Sequence, residues 1–228
     1  MRWMVPSDGE LLPHGYTNDA VVHGDLVVKT YHGPDAVVRQ DREVLAIVSL
    51  TGRLPVAPFI ESTPGTVVLG RVPGRPGQDL IELGHGDAVM FALGRTLREL
   101  QAIEPSFYGE YGGDGVLVHG DFGPNNVLLA EDDDSVALLA DWEWSSIGHP
   151  TTDLAWAEFI VRMHHPRHVE CLSALFDGYG NRPSWNERKR TMTDRAGALE
   201  TWLRSWKGDD AEEWDRRSRL ISRWEELP

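Results

Sequence analysis

Asp121, Asn126 and Asp141 stand in an order and at a spacing suited to phosphoryl transfer. An aspartate, an asparagine five residues later, and a second aspartate at the end of the next apolar run is the order of a base and two metal ligands in a kinase-type site. A turn after Asp121 lets its carboxylate face a substrate hydroxyl while Asn126 folds back toward a metal, and Phe122, Gly123 and Pro124 suit that turn. Val127–Leu129 and Ser135–Ala140 read as short strands joined through Ala130–Asp134, a hairpin with a solvated tip that delivers Asp141 at a strand end. Singly, Asp and Asn are ordinary turn formers. The triple carries the reading, together with Gly148, His149, Pro150 and Asp153, Leu154, Ala155 behind it.

His119, Gly120, Asp121 through Asn126, with Ala140, Asp141, Trp142, Glu143, Gly148 and Asp153–Ala155, resemble the aminoglycoside phosphotransferase and choline kinase-like family. Those proteins are small-molecule kinases that share the protein-kinase fold. The resemblance implies Asp121 as catalytic base, Asn126 and Asp141 as Mg2+ ligands, and ATP or GTP as co-substrate. It implies a bilobal α+β fold: an N-lobe over 1–72 with an antiparallel sheet and one helix, and a mostly helical C-lobe over 73–228. In that setting His119 braces the loop, and Asp153 caps its helix or ties the loop. Glu143 stays open between a further metal or substrate contact and a plain surface position.

An N-lobe of this kind needs a lysine on its third strand. The chain has three lysines against nineteen arginines, and Lys29 is the sole lysine before Lys189. It lies in Leu26–Tyr31, a strand pattern, where a compact ammonium fits between phosphates and a carboxylate as a planar guanidinium does not. The segment Asp35–Leu50 reads as the following helix, with apolar Val37, Val38, Val44, Leu45, Ile47 and Val48, and Glu43 is the expected partner of Lys29. Asp41 is the weaker choice, because the family's Arg-Glu pair aligns with Arg42 and Glu43.

Upstream, His14–Asp19 falls where a phosphate-covering turn belongs, and resembles the family's loose G-x-x-N version; Gly15, Thr17 and Asn18 are the expected phosphate contacts. Strands near Phe59–Ser62 and Thr66–Arg71 run into Val72, Pro73 and Gly74, a hinge signal. In the kinase fold the backbone before the hinge reads the nucleotide base, which assigns that contact to Leu69, Gly70, Arg71 and Val72.

Beyond the hinge the pattern is helical. Asp87 reads as an N-cap before Val89, Leu93, Leu97 and Leu100; further helices run over about 153–166, from about His168 to Gly180, from Ser184 with Glu187 at capping-box spacing, and from Ala211. Tryptophans 202, 206, 214 and 224 fall at helical intervals and read as packing.

Composition excludes several classes. The net charge of −14 argues against a nucleic-acid partner. From Asp153 onward there are 14 acidic and 13 basic residues, so the acidic excess lies before the helices that build the acceptor pocket and is no evidence for a polycationic substrate. No secretory leader or membrane span is apparent, and the single cysteine, Cys171, forms no intrachain disulfide; a cytoplasmic protein, monomeric or weakly dimeric, is expected. Eleven residues separate Asp141 from Asp153, too few for a phosphorylatable activation segment and peptide platform. His164, His165 and His168 lack a convincing ligand set for zinc.

The expected activity is therefore transfer of a γ-phosphoryl group to a small-molecule hydroxyl, with an aminoglycoside or related aminated antibiotic as leading acceptor and a role in antibiotic resistance. Choline, an amino sugar or a sugar is the alternative. From another class, a non-catalytic nucleotide-binding regulatory protein is the rival. Glu158, Glu200, Asp209 and Asp210 are the candidate contacts to a substrate amino group.

Overall fold

The computed structural model describes residues 10–11, 17–111, 115–131 and 135–227, with backbone alone at 10, 11, 109–111 and 208–211. Strands β2 (Asn18–His23) and β3 (Leu26–Tyr31) form a hairpin closed by Gly24, whose φ of +60° is readily adopted only without a Cβ. β1 (Glu10–Leu11) borders β2, while β5 (Thr66–Gly70) joins β3 to β4 (Phe59–Thr63), giving a five-stranded antiparallel sheet in the order β1-β2-β3-β5-β4. Lys29 thus sits on the central strand, opposite Ala20 on one side and Val67 on the other.

The helix expected after β3 is α1 (Ala36–Leu50), but its apolar residues are only partly its buried face. Val37, Val38 and Val48 are 61%, 51% and 53% exposed, whereas Arg39, Gln40 and Glu43 are buried with Ala46, Ile47 and Leu50. The cause is polar: Glu43 and Arg39 turn inward to partners on the sheet and beyond it. Gln40 pins the helix to the β4–β5 turn, donating from Nε2 to the Thr63 and Thr66 carbonyls and accepting from the Gly65 N–H.

After the sheet, β6 (Arg75–Pro76) pairs with β8 (Val127–Leu129), and β8 with β9 (Val136–Leu139), the hairpin read from the sequence. Its tip, 132–134, lies outside the described residues. A short α2 (Gly77–Leu80) and one wide turn lead into α3 (Gly86–Gln101). Asp87 is therefore inside the first turn and not the N-cap, because the chain arrives through Ile81–His85 already wound. Val89, Met90, Leu93, Leu97 and Leu100 of α3 are 0% exposed, each contributing about 1.5–3 kcal/mol on burial.

Helix α5 (Leu172–Tyr179) crosses α3 at two glycines. A Cβ on Gly94 would stand 2.2 Å from the Leu175 carbonyl, and one on Gly178 2.2 Å from the Phe91 carbonyl, so backbone meets backbone there. A third pairing, β7 (Val116–Val118) with β10 (Ser146–Gly148), flanks the catalytic segment. Helix α4 (Thr151–His164) is buried on nearly all sides: Leu154, Ala157 and Val161 face the main core, and Ala155, Trp156, Phe159 and Ile160 a second one. The second core is completed by Met192 and Ala196 of α6 (Trp185–Arg204) and Ile221 of α7 (Gly208–Arg223). Ser184 caps α6 as its spacing to Glu187 predicts, accepting the Glu187 N–H at 3.3 Å. Among the described residues no helix is long and apolar enough to cross a membrane. Cys171 is buried, and burial pushes its thiol up to about 12.

Candidate active site

The loop after β7 is built from its backbone outward. Gly120 has φ +84° and lies where a Cβ would come within 2.2 Å of the Trp144 carbonyl, so glycine is required on two counts. The Asp153 carboxylate, in the first turn of α4, accepts the His119 N–H at 2.7 Å and the Gly120 N–H at 2.9 Å. It therefore ties the loop to α4. The fully buried His119 accepts the Asp121 N–H at Nδ1 (3.2 Å), which leaves Nε2–H to donate to the Ala140 carbonyl at 2.8 Å. Burial holds the His119 pKa below its usual value, and the ring is neutral at pH 7.

Asp121 is gripped from two sides. Oδ1 accepts the indole N–H of Trp156 at 2.7 Å, and Oδ2 accepts Nδ2 of Asn126 at 2.8 Å. Burial, reinforced by the Asp141 charge, raises its pKa above the usual aspartate value, while the two hydrogen bonds pull the other way. A carboxylate shifted upward and held in a fixed rotamer is suited to general-base work.

Asn126 spends Nδ2 on the Asp121 side chain and carbonyl, which leaves Oδ1 as its ligand atom for a cation. The Ala140 N–H donates to the Asn126 carbonyl at 2.9 Å and brings Asp141 alongside. Asp141 has φ +68°, one of two non-glycine residues in the left-handed region among those described, a strained conformation typical of functional positions. Its Oδ1 meets Nζ of Lys29 at 2.6 Å, and the same Nζ meets Oε2 of Glu43 at 2.5 Å. Tyr31 donates its hydroxyl to that Glu43 oxygen. Burial pulls the Lys29 pKa down, but the charges of Asp141 and Glu43 more than offset it, so the amine is cationic across the working range. Against the opposition of burial, Lys29 holds Asp141 below the usual aspartate value.

Glu143 is neither a surface residue nor free to bind a metal. It is 0% exposed, and its oxygens accept from Thr17 Oγ1 at 2.6 Å, Asn18 Nδ2 at 2.6 Å and Arg39 Nη1 at 2.5 Å. Glu43, Asp141 and Glu143 offer oxygens within 4.8 Å of one another, but Glu43 is engaged by Lys29 and Tyr31, and Glu143 by Arg39, Thr17 and Asn18. The set that suits Mg2+ is the carboxylate of Asp141 with Oδ1 of Asn126, two hard oxygen donors beside a fixed lysine.

Other expected positions fare unequally. Thr17 and Asn18 reach Glu143, so their side-chain donors are engaged within the protein. Gly15 lies outside the described residues. Leu69 and Gly70 close β5 and Arg71 and Val72 follow it, but the Gly70 N–H goes to the Pro58 carbonyl at 2.7 Å and the Arg71 N–H to Asp25 at 2.8 Å. Those two amides are not donors for a base. Glu158 is corrected as a substrate contact: it is 0% exposed and both oxygens are taken, by Arg162 and by Arg188. Glu200 pairs with Arg204 one turn along α6. The side chains of Asp209 and Asp210 lie outside the described residues. Trp156 and Arg39 went unread in the sequence, since neither stands within a local motif.

A lysine on the central strand bridged to a helix glutamate, an aspartate and an asparagine hydrogen-bonded in one loop, and an aspartate after a hairpin are arranged on the protein-kinase-like fold. The sequence agrees: residues 110–191, which hold the catalytic loop and Asp141, match the model of the phosphotransferase enzyme family. No curated protein sequence matches the chain. Among solved structures, that of the GDP complex of wild-type aminoglycoside 2'-phosphotransferase-IIIa is similar over 94% of this chain and 92% of that one, with a TM-score of 0.74 and 14% identity. A macrolide 2'-phosphotransferase from Brachybacterium faecium is similar over 96% and 93%, at 0.62 and 16%. A putative aminoglycoside phosphotransferase from Ralstonia eutropha is similar over 96% and 91%, at 0.67 and 15%.

Proposed function

We propose that the chain is a small-molecule kinase that moves the γ-phosphoryl group of ATP or GTP to a hydroxyl held beside Asp121. The observation that carries this is the double anchoring of the Asp121 carboxylate by Trp156 and Asn126, next to a Lys29–Asp141 ion pair. Asn126 Oδ1 and the Asp141 carboxylate would hold Mg2+, which when bound supplies neutralisation of phosphate charge. Lys29 supports the phosphates, with Glu43 fixing its position from the other side. Asp121 orients the acceptor hydroxyl and takes its proton as the oxygen attacks phosphorus, and most of the catalysis is positioning and electrostatics.

The division into an N-lobe over 1–72 and a C-lobe over 73–228 suits this reading, with nucleotide between them and acceptor against α4 and α6. A cytoplasmic monomer or weak dimer remains the expected form. The solved relatives' names make aminoglycosides and macrolides the first acceptors to assay, although Glu158 is buried between Arg162 and Arg188 and does not face an acceptor.

The test is magnesium-dependent ADP and GDP release across a panel of aminoglycosides, macrolides, choline, sugars and sugar acids, with Asp121→Asn beside wild type. Turnover on a panel member should fall about 10²–10⁴-fold in the variant while nucleotide binding persists. Undiminished turnover in Asp121→Asn, or failure to bind nucleotide with magnesium, overturns the reading.

A further inference from the structure

Three tryptophans gather over one arginine where the end of α6 meets α1. Arg39, in the first turn of α1, is buried, and its in-plane donors are spent: Nε on the Pro34 carbonyl at 3.3 Å, Nη1 on Oε2 of Glu143 at 2.5 Å and on Oδ1 of Asn18 at 3.1 Å, and Nη2 on the His32 carbonyl. The faces of the guanidinium remain, and a planar cation takes aromatic rings there. Arg39 lies over the ring of Trp144, 5.8 Å from its centroid, and over that of Trp202, 5.4 Å from its centroid.

Trp144 comes from the turn just after Asp141, whereas Trp202 comes from the last turns of α6. The two rings meet edge-on at 5.2 Å, and Trp206, one turn beyond Trp202, meets it at 5.6 Å. Trp206 also lies against the β3–α1 turn, where a Cβ on Gly33 would stand 2.5 Å from its ring. Trp202 Nε1 is buried with no partner among the described residues, so this ring serves through its surface and not through its N–H.

What Arg39 holds is the phosphate side of the site. Its partner Glu143 also gathers Thr17 and Asn18, and one turn along α1 Glu43 fixes Lys29, which meets Asp141. A ring over Arg39 keeps water from the Arg39–Glu143 pair and adds its own attraction, so both sets of contacts depend on a side chain that belongs to neither.

We infer that Trp202 is a positioning residue: the end of α6 braces α1 through Arg39, and so sets Lys29 and the Thr17–Asn18 corner for the nucleotide phosphates. The inference rests on the kinase reading and adds to it a dependence of phosphate binding on a helix of the second core.

The experiment compares wild type, Trp202→Phe and Trp202→Leu with Trp185→Leu, a control at the opposite end of the same helix whose ring also lies over arginines, Arg162 at 4.8 Å and Arg188 at 5.3 Å. Dissociation constants are measured for MgATP and MgGTP and for adenosine and guanosine, which lack the phosphates, alongside melting temperatures. Trp202→Leu should weaken the triphosphate that wild type prefers about three- to ten-fold, the loss of one cation–π contact, and leave its nucleoside unchanged; Trp202→Phe should keep most of the affinity. Trp185→Leu should melt lower with both constants unchanged. Equal weakening of nucleoside and triphosphate in Trp202→Leu overturns the inference, since the ring would then only stabilise the fold. Unchanged triphosphate affinity in Trp202→Leu overturns it too, as does an equal triphosphate loss in Trp185→Leu; each of these leaves the kinase reading standing. If wild type binds neither triphosphate with magnesium, the kinase reading fails first and this inference falls with it.

Discussion

Trp156 donates its indole N–H to Oδ1 of Asp121 at 2.7 Å, so a helix residue thirty-five positions downstream sets the orientation of that carboxylate. Replacing it by phenylalanine leaves a buried carboxylate oxygen without its donor. Trp156→Phe should lower kcat about ten- to a hundred-fold, the equivalent of one hydrogen bond to a charged group. It should also move the acid limb of the pH–kcat profile to higher pH, since the bond lost is one that pulls the Asp121 pKa down. An acid limb at the wild-type position would show that the indole merely fills space.

Glu143→Gln removes the charge opposite Arg39 while keeping the shape. Breaking a buried pair by neutralising one partner costs about 3–5 kcal/mol, so denaturant unfolding should show a loss of that order. KM for nucleotide should rise as well, because one of the two oxygens that hold Thr17 and Asn18 becomes an NH2 that cannot accept from them. Combined with Arg39→Met, the losses should be far from additive. Additivity would mean that the two residues act separately.

His119 is buried neutral, with its pKa below the ordinary 6.5, so below that value the unfolded chain binds a proton that the folded chain refuses. Stability rises with pH wherever the unfolded state holds more protons; wild type should therefore lose stability as pH falls below about 6.5, by up to about 1.4 kcal/mol per unit. Asp121 and Asp153, whose pKa values are raised by burial, act with the opposite sign at lower pH. Unfolding free energies of wild type and His119→Gln measured from pH 7 to 5 isolate the histidine. Parallel curves would rule it out as the source.

Gly120→Ala meets two penalties at once. The left-handed backbone costs about 1–2 kcal/mol for an L side chain, and the added carbon overlaps the Trp144 carbonyl at 2.2 Å. The variant should melt well below wild type and have lost kcat, because the displaced loop carries Asp121. A melting temperature within a degree or two of wild type contradicts this account of the loop.

What the sequence disclosed was local. The catalytic loop, the hairpin before Asp141, the strand holding Lys29 and the cap at Ser184 all depend on residues a few positions apart, and all fall where spacing puts them. Glu143 stayed open between a metal or substrate contact and a surface position because its partners stand over a hundred residues earlier, and no periodicity records such a pairing. The exposed valines of α1 misled for the same reason. The helix buries Arg39 and Glu43, whose burial only makes sense once Glu143 and Lys29 are in place. Trp156 was absent from the site read in the sequence, although it lies one turn past Asp153, a residue the loop was expected to use.

Asp153 fastens the His119–Gly120 backbone to the first turn of α4, and one turn later the same helix supplies the indole that orients the Asp121 carboxylate. The Asp121 loop and α4 are consequently a single mechanical piece, on which Arg195 of α6 and Trp214 of α7 pack through the Trp156 ring. A small rigid shift of α4 therefore carries loop and indole together, so the angle at which Asp121 meets its donor outlasts displacements that would misalign two independently mounted groups.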